Sequence, residues 1–277
     1  MLFLATAVTT TVAGSWVAAA WYGSTPSQSW LQFILAGWVF SVPLMAILGV
    51  HETGHYLAAR RRNLDVSPPY FIPAIPPVGT FGAFIKIKSP IPSKKVLIEV
   101  GSWGPLAGSL VAIPILIVGL HFSEIRSVPP ASGGISVNFG SSLILEGLYL
   151  WRFGELSSHA SIVLHPTAMA GWFGLFITAL NLLPMGQLDG GHVIYALLGP
   201  RRAQLISFCV FAILVPMGVF LWLGWLLFAA LSLVIGLRHP PPLDPYTPLD
   251  RAGRVLGWIA VVLFVLTFIP APISVVG

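Results

Sequence analysis

Hydrophobic positions fall in long unbroken blocks, not in the short periods of a half-buried strand or a surface helix. Blocks long enough to cross a bilayer cover about 3–22, 30–60, 95–120 and 160–182. The block 203–237 is too long for one crossing, and Pro216-Met217-Gly218 lies near its middle. It divides into two helices with a tight turn near 218–222, one long kinked helix being the alternative. A last block covers about 253–271. The pattern predicts an all-α polytopic membrane protein with about seven transmembrane helices.

The segment 66–90 breaks this pattern. Prolines from Pro68-Pro69 through Pro76-Pro77 exclude a helix, and Thr80 to Lys88 reads as a strand, alternating clearly from Phe84 on. A short membrane-associated β-hairpin is expected there, at the interface or in a re-entrant position covered by protein. The stretch 121–159 reads as a mixed extramembrane loop with a short interfacial helix at 139–150. His239 to Pro245 reads as a stiff, polyproline-like spacer. The whole chain, 1–277, reads as a single integral membrane domain. Its core covers about 30–200: spans 30–60, 95–120 and 160–198 with the strand segment 66–90 between them. The helices of 203–237 and 253–271 follow.

Composition agrees. Charged residues make up only 8% of the chain and apolar ones 56%, far from the balance of a soluble domain. The first apolar block has no Lys or Arg before it, so it is expected to be a retained span rather than a signal peptide. A single cysteine, Cys209, excludes an intramolecular disulfide framework and reads as a small buried hydrophobe. The net charge of +5 does not indicate nucleic acid, because the basic residues border the spans. With seven spans, the loops 60–95, 183–202 and 238–254 share one side and hold 12 of the 14 Lys and Arg residues. The positive-inside rule makes that side cytoplasmic.

Near the end of the second block stands His51-Glu52-Thr53-Gly54-His55. On a helix the two histidines are one turn apart on one face, with the glutamate beside them. That spacing suits two zinc ligands and a general base. With only 7 His and 9 acidic residues in 277, the string is a poor candidate for coincidence. A polar turn sealing a helix contact is the plainer alternative.

Two histidines leave a zinc site incomplete. Among the acidic residues Asp189 is the best third ligand. It follows Asn181 and Pro184 where a span ends, and precedes Gly190-Gly191. A helix N-cap is its alternative role. His51 and His55 lie roughly 7–14 Å along the helix from the basic end, and Asp189 emerges on that same side. His192, one turn beyond Asp189, is a candidate supporting residue or a packed histidine. His121, His159, His165 and His239 fall at loops or span ends and read as solvated.

These motifs resemble the site-2 protease family of intramembrane zinc metalloproteases. His51-Glu52-Thr53-Gly54-His55 is similar to its zinc motif. Asn181 with Leu188-Asp189-Gly190-Gly191 is similar to its second motif, and Gly104-Pro105-Leu106-Ala107-Gly108 to its Gly-Pro segment. Phe81-Gly82-Ala83-Phe84 and the basic strand after it resemble the branch found in cyanobacteria, plastids and other prokaryotes, and no PDZ insert is seen between the core spans. The resemblance covers about residues 40–200. It implies one Zn²⁺ per chain held by His51, His55 and Asp189, Glu52 as base, and Asn181 near the reacting carbonyl.

The expected substrate is a membrane-anchored protein with a transmembrane helix, and lipid is the surrounding partner, with no nucleic acid. Such a helix must unwind locally before attack. The strand residues Gly82, Ala83, Phe84, Ile85 and Lys86 are candidates to hold it as an added strand, a structural hairpin on the membrane surface being the alternative. The expected location is a prokaryotic inner membrane or a plastid membrane, with the site reached from the cytoplasmic side. A catalytically silent scaffold of the same fold, or a zinc transporter, are the competing functions. A transporter would need His or charged positions along several spans, whereas this chain concentrates them at one site.

Overall fold

A computed structural model describes residues 1–22, 29–75, 77–127, 136–155 and 160–276. The first two helices of the N-terminal half, α1 (Leu2–Tyr22) and α2 (Trp30–Ala36), lead into α3 (Trp38–Arg61). The apolar block 30–60 is split at Gly37. A Cβ there would stand 2.1 Å from the Thr11 carbonyl oxygen, so α1 packs directly onto the junction. Hydroxyls of Thr10 and Thr11 meet Ser41 Oγ at 3.0 and 3.1 Å. These bonds tie two apolar helices together where lipid offers no hydrophobic drive between them.

Strands β1 (Tyr70–Pro73) and β2 (Thr80–Phe84) form an antiparallel hairpin in the register Tyr70↔Phe84 to Ile72↔Gly82. The regular strand is shorter than the 80–88 expected. Beyond Phe84 the pairing continues irregularly: Lys86 N–H and C=O bond Ser67, and Lys88 N–H bonds the Asp65 carbonyl.

Helix α4 (Lys94–Phe122) lies at the centre and touches α3, α6, α7 and α10. It is followed by β3 (Glu124–Ser127), β4 (Ser136–Phe139), α5 (Leu143–Phe153), β5 (Ala160–Val163) and α6 (Pro166–Asn181). β3 pairs with β5. Helix α5 falls where a short helix is expected at 139–150, although its bounds are Leu143–Phe153. Gly119 and Gly171 let α4 and α6 approach closely, since added Cβ atoms would meet Ala168 N at 2.1 Å and Leu116 at 2.9 Å. Trp172, Leu175, Leu116, Leu44 and Phe40 form the buried core between α3, α4 and α6.

The chain closes with α7 (Asp189–Leu198), α8 (Pro200–Phe220), α9 (Gly224–Ile235), α10 (Arg251–Thr267) and β6 (Ile273–Val276), which pairs with β4. The block 203–237 is two helices, as expected, with its turn at 221–223. Cys209 is exposed on α8, contrary to the expectation of a packed position. Among the described residues, four stretches are long and apolar enough to cross a membrane by length and composition: Leu2–Tyr22, Trp30–Arg61, Lys94–Phe122 and Pro200–Phe220. Seven had been expected. Helices α6, α9 and α10, with 16, 12 and 17 residues, are shorter than their hydrophobic blocks. Those blocks overrun the helices: 160–182 takes in β5, and 253–271 continues past Thr267 into coil.

The ends of the basic loops meet at one end of the bundle. Arg62 makes a bidentate pair with Glu99 on α4, at 2.6 and 2.5 Å. Lys95 reaches Asp250 at 2.6 Å.

Candidate metal centre

His51 and His55 share one face of α3, one turn apart, with Glu52 beside them, and all three are buried, at 3, 5 and 5% exposure in the order His51, Glu52, His55. Such burial of polar side chains in an apolar helix requires partners. Two features of α3 make room for them. At Gly54 an added Cβ would stand 2.5 Å from the Trp103 carbonyl oxygen, so α3 and α4 touch backbone to backbone. On α4 the residues Gly101, Gly104 and Gly108 share one face. A Cβ on Gly104 would lie 2.0 Å from His55 Nε2, one on Gly108 3.0 Å from His51 Cβ and Nδ1, and one on Gly101 2.7 Å from His192 Cβ. The glycines do permit close packing, as their spacing predicts, but what they receive is largely histidine.

Asp189 arrives from the other side. Helix α6 ends at Asn181 because Pro184 cannot continue it, and the chain turns through Gly186 at φ 54° before α7 begins. Added Cβ atoms at Gly190 and Gly191 would sit 1.9 Å from Leu182 O and 2.3 Å from Gly186 O. The two glycines therefore let the first turn of α7 rest on the turn before it, which aims Asp189 inward. The N-cap position of α7 is Leu188, and Asp189 is the helix's first residue. Its carboxylate is spent on histidine instead: Oδ2 lies 3.5 Å from His51 Nε2 and 3.2 Å from His55 Nε2.

The two Nε2 atoms are 3.1 Å apart. His55 Nδ1–H donates to the Val100 carbonyl at 2.7 Å, which leaves Nε2 as a bare lone pair. Lone pairs of His55 Nε2 and Asp189 Oδ2 thus converge with His51 Nε2 at mutual distances of 3.1–3.5 Å. Acceptors so placed repel unless a cation sits among them. Tetrahedral ligands bound about 2.0–2.1 Å from zinc stand about 3.3 Å apart. The donor set, two imidazoles and one carboxylate, suits zinc and leaves a fourth position open. Glu52 offers an oxygen within 4.8 Å of both histidines' ligating atoms. Asn181 Nδ2 lies 3.2 Å from His51 Nε2, so its amide borders the same point. It does not turn back to the end of its own helix.

The hairpin also reaches the centre. The Ile85 backbone amide lies near the Glu52 carboxylate. Because Lys86 spends its N–H and C=O on Ser67, the neighbouring Ile85 amide points to the opposite edge. That edge of the hairpin has no strand partner among the described residues, and it faces the centre through Ile85. The amide that faces Glu52 is a backbone group, for which the sequence carries no signal.

His192, on α7, bonds His239, which lies in the connector after α9, through Nδ1 and Nε2 at 2.7 Å. His239 is therefore paired and half-buried, not solvated as its place in the sequence implied. His165 is likewise engaged, accepting the Thr167 N–H as the N-cap of α6. His159 lies outside the described residues.

Residues 39–225 match Peptidase family M50. The chain is 33% identical over 247 residues to "Probable zinc metalloprotease EGY1, chloroplastic" of Arabidopsis thaliana, covering 86% of this chain and 44% of that protein. It is 34% identical over 253 residues to the rice protein of that name (Oryza sativa subsp. japonica), covering 88% and 42%. "Probable zinc metalloprotease EGY2, chloroplastic" of Arabidopsis thaliana is 30% identical over 239 residues, covering 83% and 41%. The chain spans less than half the length of these curated relatives. No solved structure matches it. By the extent of the family match, and by relatives similar over most of its length, this chain belongs to Peptidase family M50, the site-2 protease family.

Proposed function

We propose that this protein is an intramembrane zinc metalloendopeptidase that hydrolyses a peptide bond within or near the transmembrane segment of a membrane-anchored protein. One observation carries the reading: His51 Nε2, His55 Nε2 and Asp189 Oδ2 converge at 3.1–3.5 Å in a buried site between apolar helices. His51, His55 and Asp189 hold the metal. Zinc bound there supplies Lewis acidity, which lowers the pKa of water and polarises a carbonyl.

The rest is the work of the chain. Glu52 takes a proton from the attacking water and passes it to the leaving amine. The Asn181 amide donates to the carbonyl oxygen as charge develops on it. A helical substrate hides its peptide bonds in its own hydrogen bonds, so it must be unwound and held extended. The edge formed by Gly82, Ala83, Phe84, Ile85 and Lys86 suits that task, because main-chain groups of an unpaired edge pair with any extended peptide. Its position beside Glu52 supports the assignment. Proline at Ala83 or Ile85 is expected to abolish cleavage while zinc stays bound; unchanged turnover would refute the clamp. The site lies a short way along α3 from the basic end of the bundle, which the positive-inside rule makes the cytoplasmic side, or its counterpart in a plastid, and access from that side is part of the reading.

The test is zinc content and cleavage of a single-span substrate, for purified wild type and Glu52→Gln in parallel. The reading requires about one zinc in each and cleavage by wild type alone. Zinc in both without cleavage of any of a varied substrate set points to a scaffold or, with zinc flux into liposomes, a transporter. Absence of zinc removes the reading.

A further inference from the structure

The connector between α9 and α10 is more than a spacer. Leu243 and Asp244 N–H groups bond the carbonyls of Ile91 and Pro92, at 2.9 Å each, so the proline-rich run lies as a strap beside the start of α4. Asp250 fastens its far end to Lys95. Its near end carries His239, whose ring stacks on Tyr195 with centroids 4.6 Å apart.

The hydrogen bonds here have one direction. The Pro240 carbonyl can only accept, so the 2.5 Å contact requires His239 Nδ1 to hold the proton. In the neutral ring His239 Nε2 is then an acceptor, and the 2.7 Å contact requires His192 Nδ1 to hold its proton. His192 Nε2 is left bare, with no bond to any described residue. His192 follows Asp189 by one turn on the same face of α7, and its Cβ and the Asp189 backbone both rest on Gly101, one turn along α4 from the glycine that receives His55.

Resting on the peptidase reading of the same centre, we infer that His239 is a positioning residue. It locks His192 in the Nδ1–H tautomer, so that His192 presents a bare Nε2 beside Asp189 as a fixed hydrogen-bond acceptor for a substrate N–H. The acceptor orients the extended peptide, and it is lost if the ring is free to exchange tautomers.

Two variants separate this role from packing. His239→Phe keeps the ring against Tyr195 and removes the acceptor. His239→Gln removes the ring and keeps an acceptor in its Oε1. The full-length chains are labelled with ¹⁵N-histidine, and the His192 ring is read by NMR in zinc-free protein, its signals identified by their loss in His192→Phe. Cleavage of a single-span substrate is measured on the zinc-loaded proteins. The expected result is the Nδ1–H tautomer in wild type and His239→Gln, a mixture in His239→Phe, and kcat/KM lower by about tenfold or more in His239→Phe alone. An unchanged tautomer in His239→Phe, or equal damage in both variants, overturns the inference. Absence of zinc and of cleavage in wild type would instead remove the peptidase reading, and the tautomer would still be read independently.

Discussion

Gly104 and His55 occupy what is in effect one position: a Cβ on the glycine would lie 2.0 Å from Nε2 of the histidine. The methyl group would press into the face of the imidazole, meeting Cδ2 and Cε1 at 2.3 and 2.4 Å, so the ligating ring could not keep its place. Elsewhere Gly→Ala inside a helix is stabilising by about 1 kcal/mol. Here Gly104→Ala is expected to remove zinc while the helix content measured by circular dichroism is unchanged or higher. Gly108→Ala, whose Cβ would stand 3.0 Å from His51, is expected to weaken zinc less, because the ring can shift by a few tenths of an ångström. Zinc stoichiometry of the purified variants is the check. Full zinc in Gly104→Ala would mean that α3 and α4 separate more easily than their backbone contact at Gly54 implies.

Asn181 stands at the end of a helix, where an asparagine often serves only its own backbone. Its amide is instead 3.2 Å from His51 Nε2. If it stabilises developing charge, Asn181→Ala should lower kcat by about 10²–10³ with zinc content unchanged. A loss of zinc with proportionate loss of activity would make it a prop for His51.

Pro43 lacks the N–H that would bond the carbonyl of Val39, four residues earlier in α3. Thr167, at the start of α6, supplies the missing donor: its hydroxyl bonds the Val39 carbonyl at 3.1 Å. Thr167→Val should cost about 1–2 kcal/mol in the wild-type background, because a carbonyl in an apolar bundle loses its partner. In Pro43→Ala the restored helical N–H takes over, and the same change should cost close to nothing. A double-mutant cycle on unfolding in detergent measures the difference; additive effects would show that the two residues are not coupled.

The parts of the centre that the sequence displayed are those carried by scarce side chains. His51 and His55 stand one helical turn apart, and Asp189 is one of nine acidic residues in a chain of 277. The missing parts are backbone or through-space relations. Val100 orients His55 with a carbonyl and Ile85 faces Glu52 with an amide, and every residue has both groups. His239 bonds a histidine 47 positions away, from within a proline run that by itself is a plausible spacer. The helix bounds also differ from the apolar blocks, because hydropathy reports where apolar residues stand and not where a helix stops. Ala160–Val163 is as apolar as the helix it precedes, yet forms a strand with Glu124–Ser127.

The strap's outer anchor has a definite pH dependence. Asp250 accepts bonds from Lys95 Nζ at 2.6 Å and from Gly253 N–H at 2.8 Å, so it also caps α10. The lysine, and after it the helix N–H, hold its carboxyl below the ordinary value of 3.8. A folded-state pKa below the unfolded one stabilises the fold at pH above the unfolded value. That contribution is lost as pH falls from about 3.8 through the lower folded value. The pair is exposed, so salt should weaken it. Asp250→Asn keeps a side-chain cap acceptor and removes the charge. It should therefore lower the stability of the α10 start at neutral pH only slightly, and abolish the part of its acid loss that is due to this group. Amide hydrogen exchange at 251–254, followed from pH 6 to pH 3 in both proteins after correction for intrinsic exchange rates, is the measurement. Equal acid loss in wild type and Asp250→Asn would assign the acid sensitivity of this end to other carboxylates, with Glu99, paired to Arg62, the first to examine.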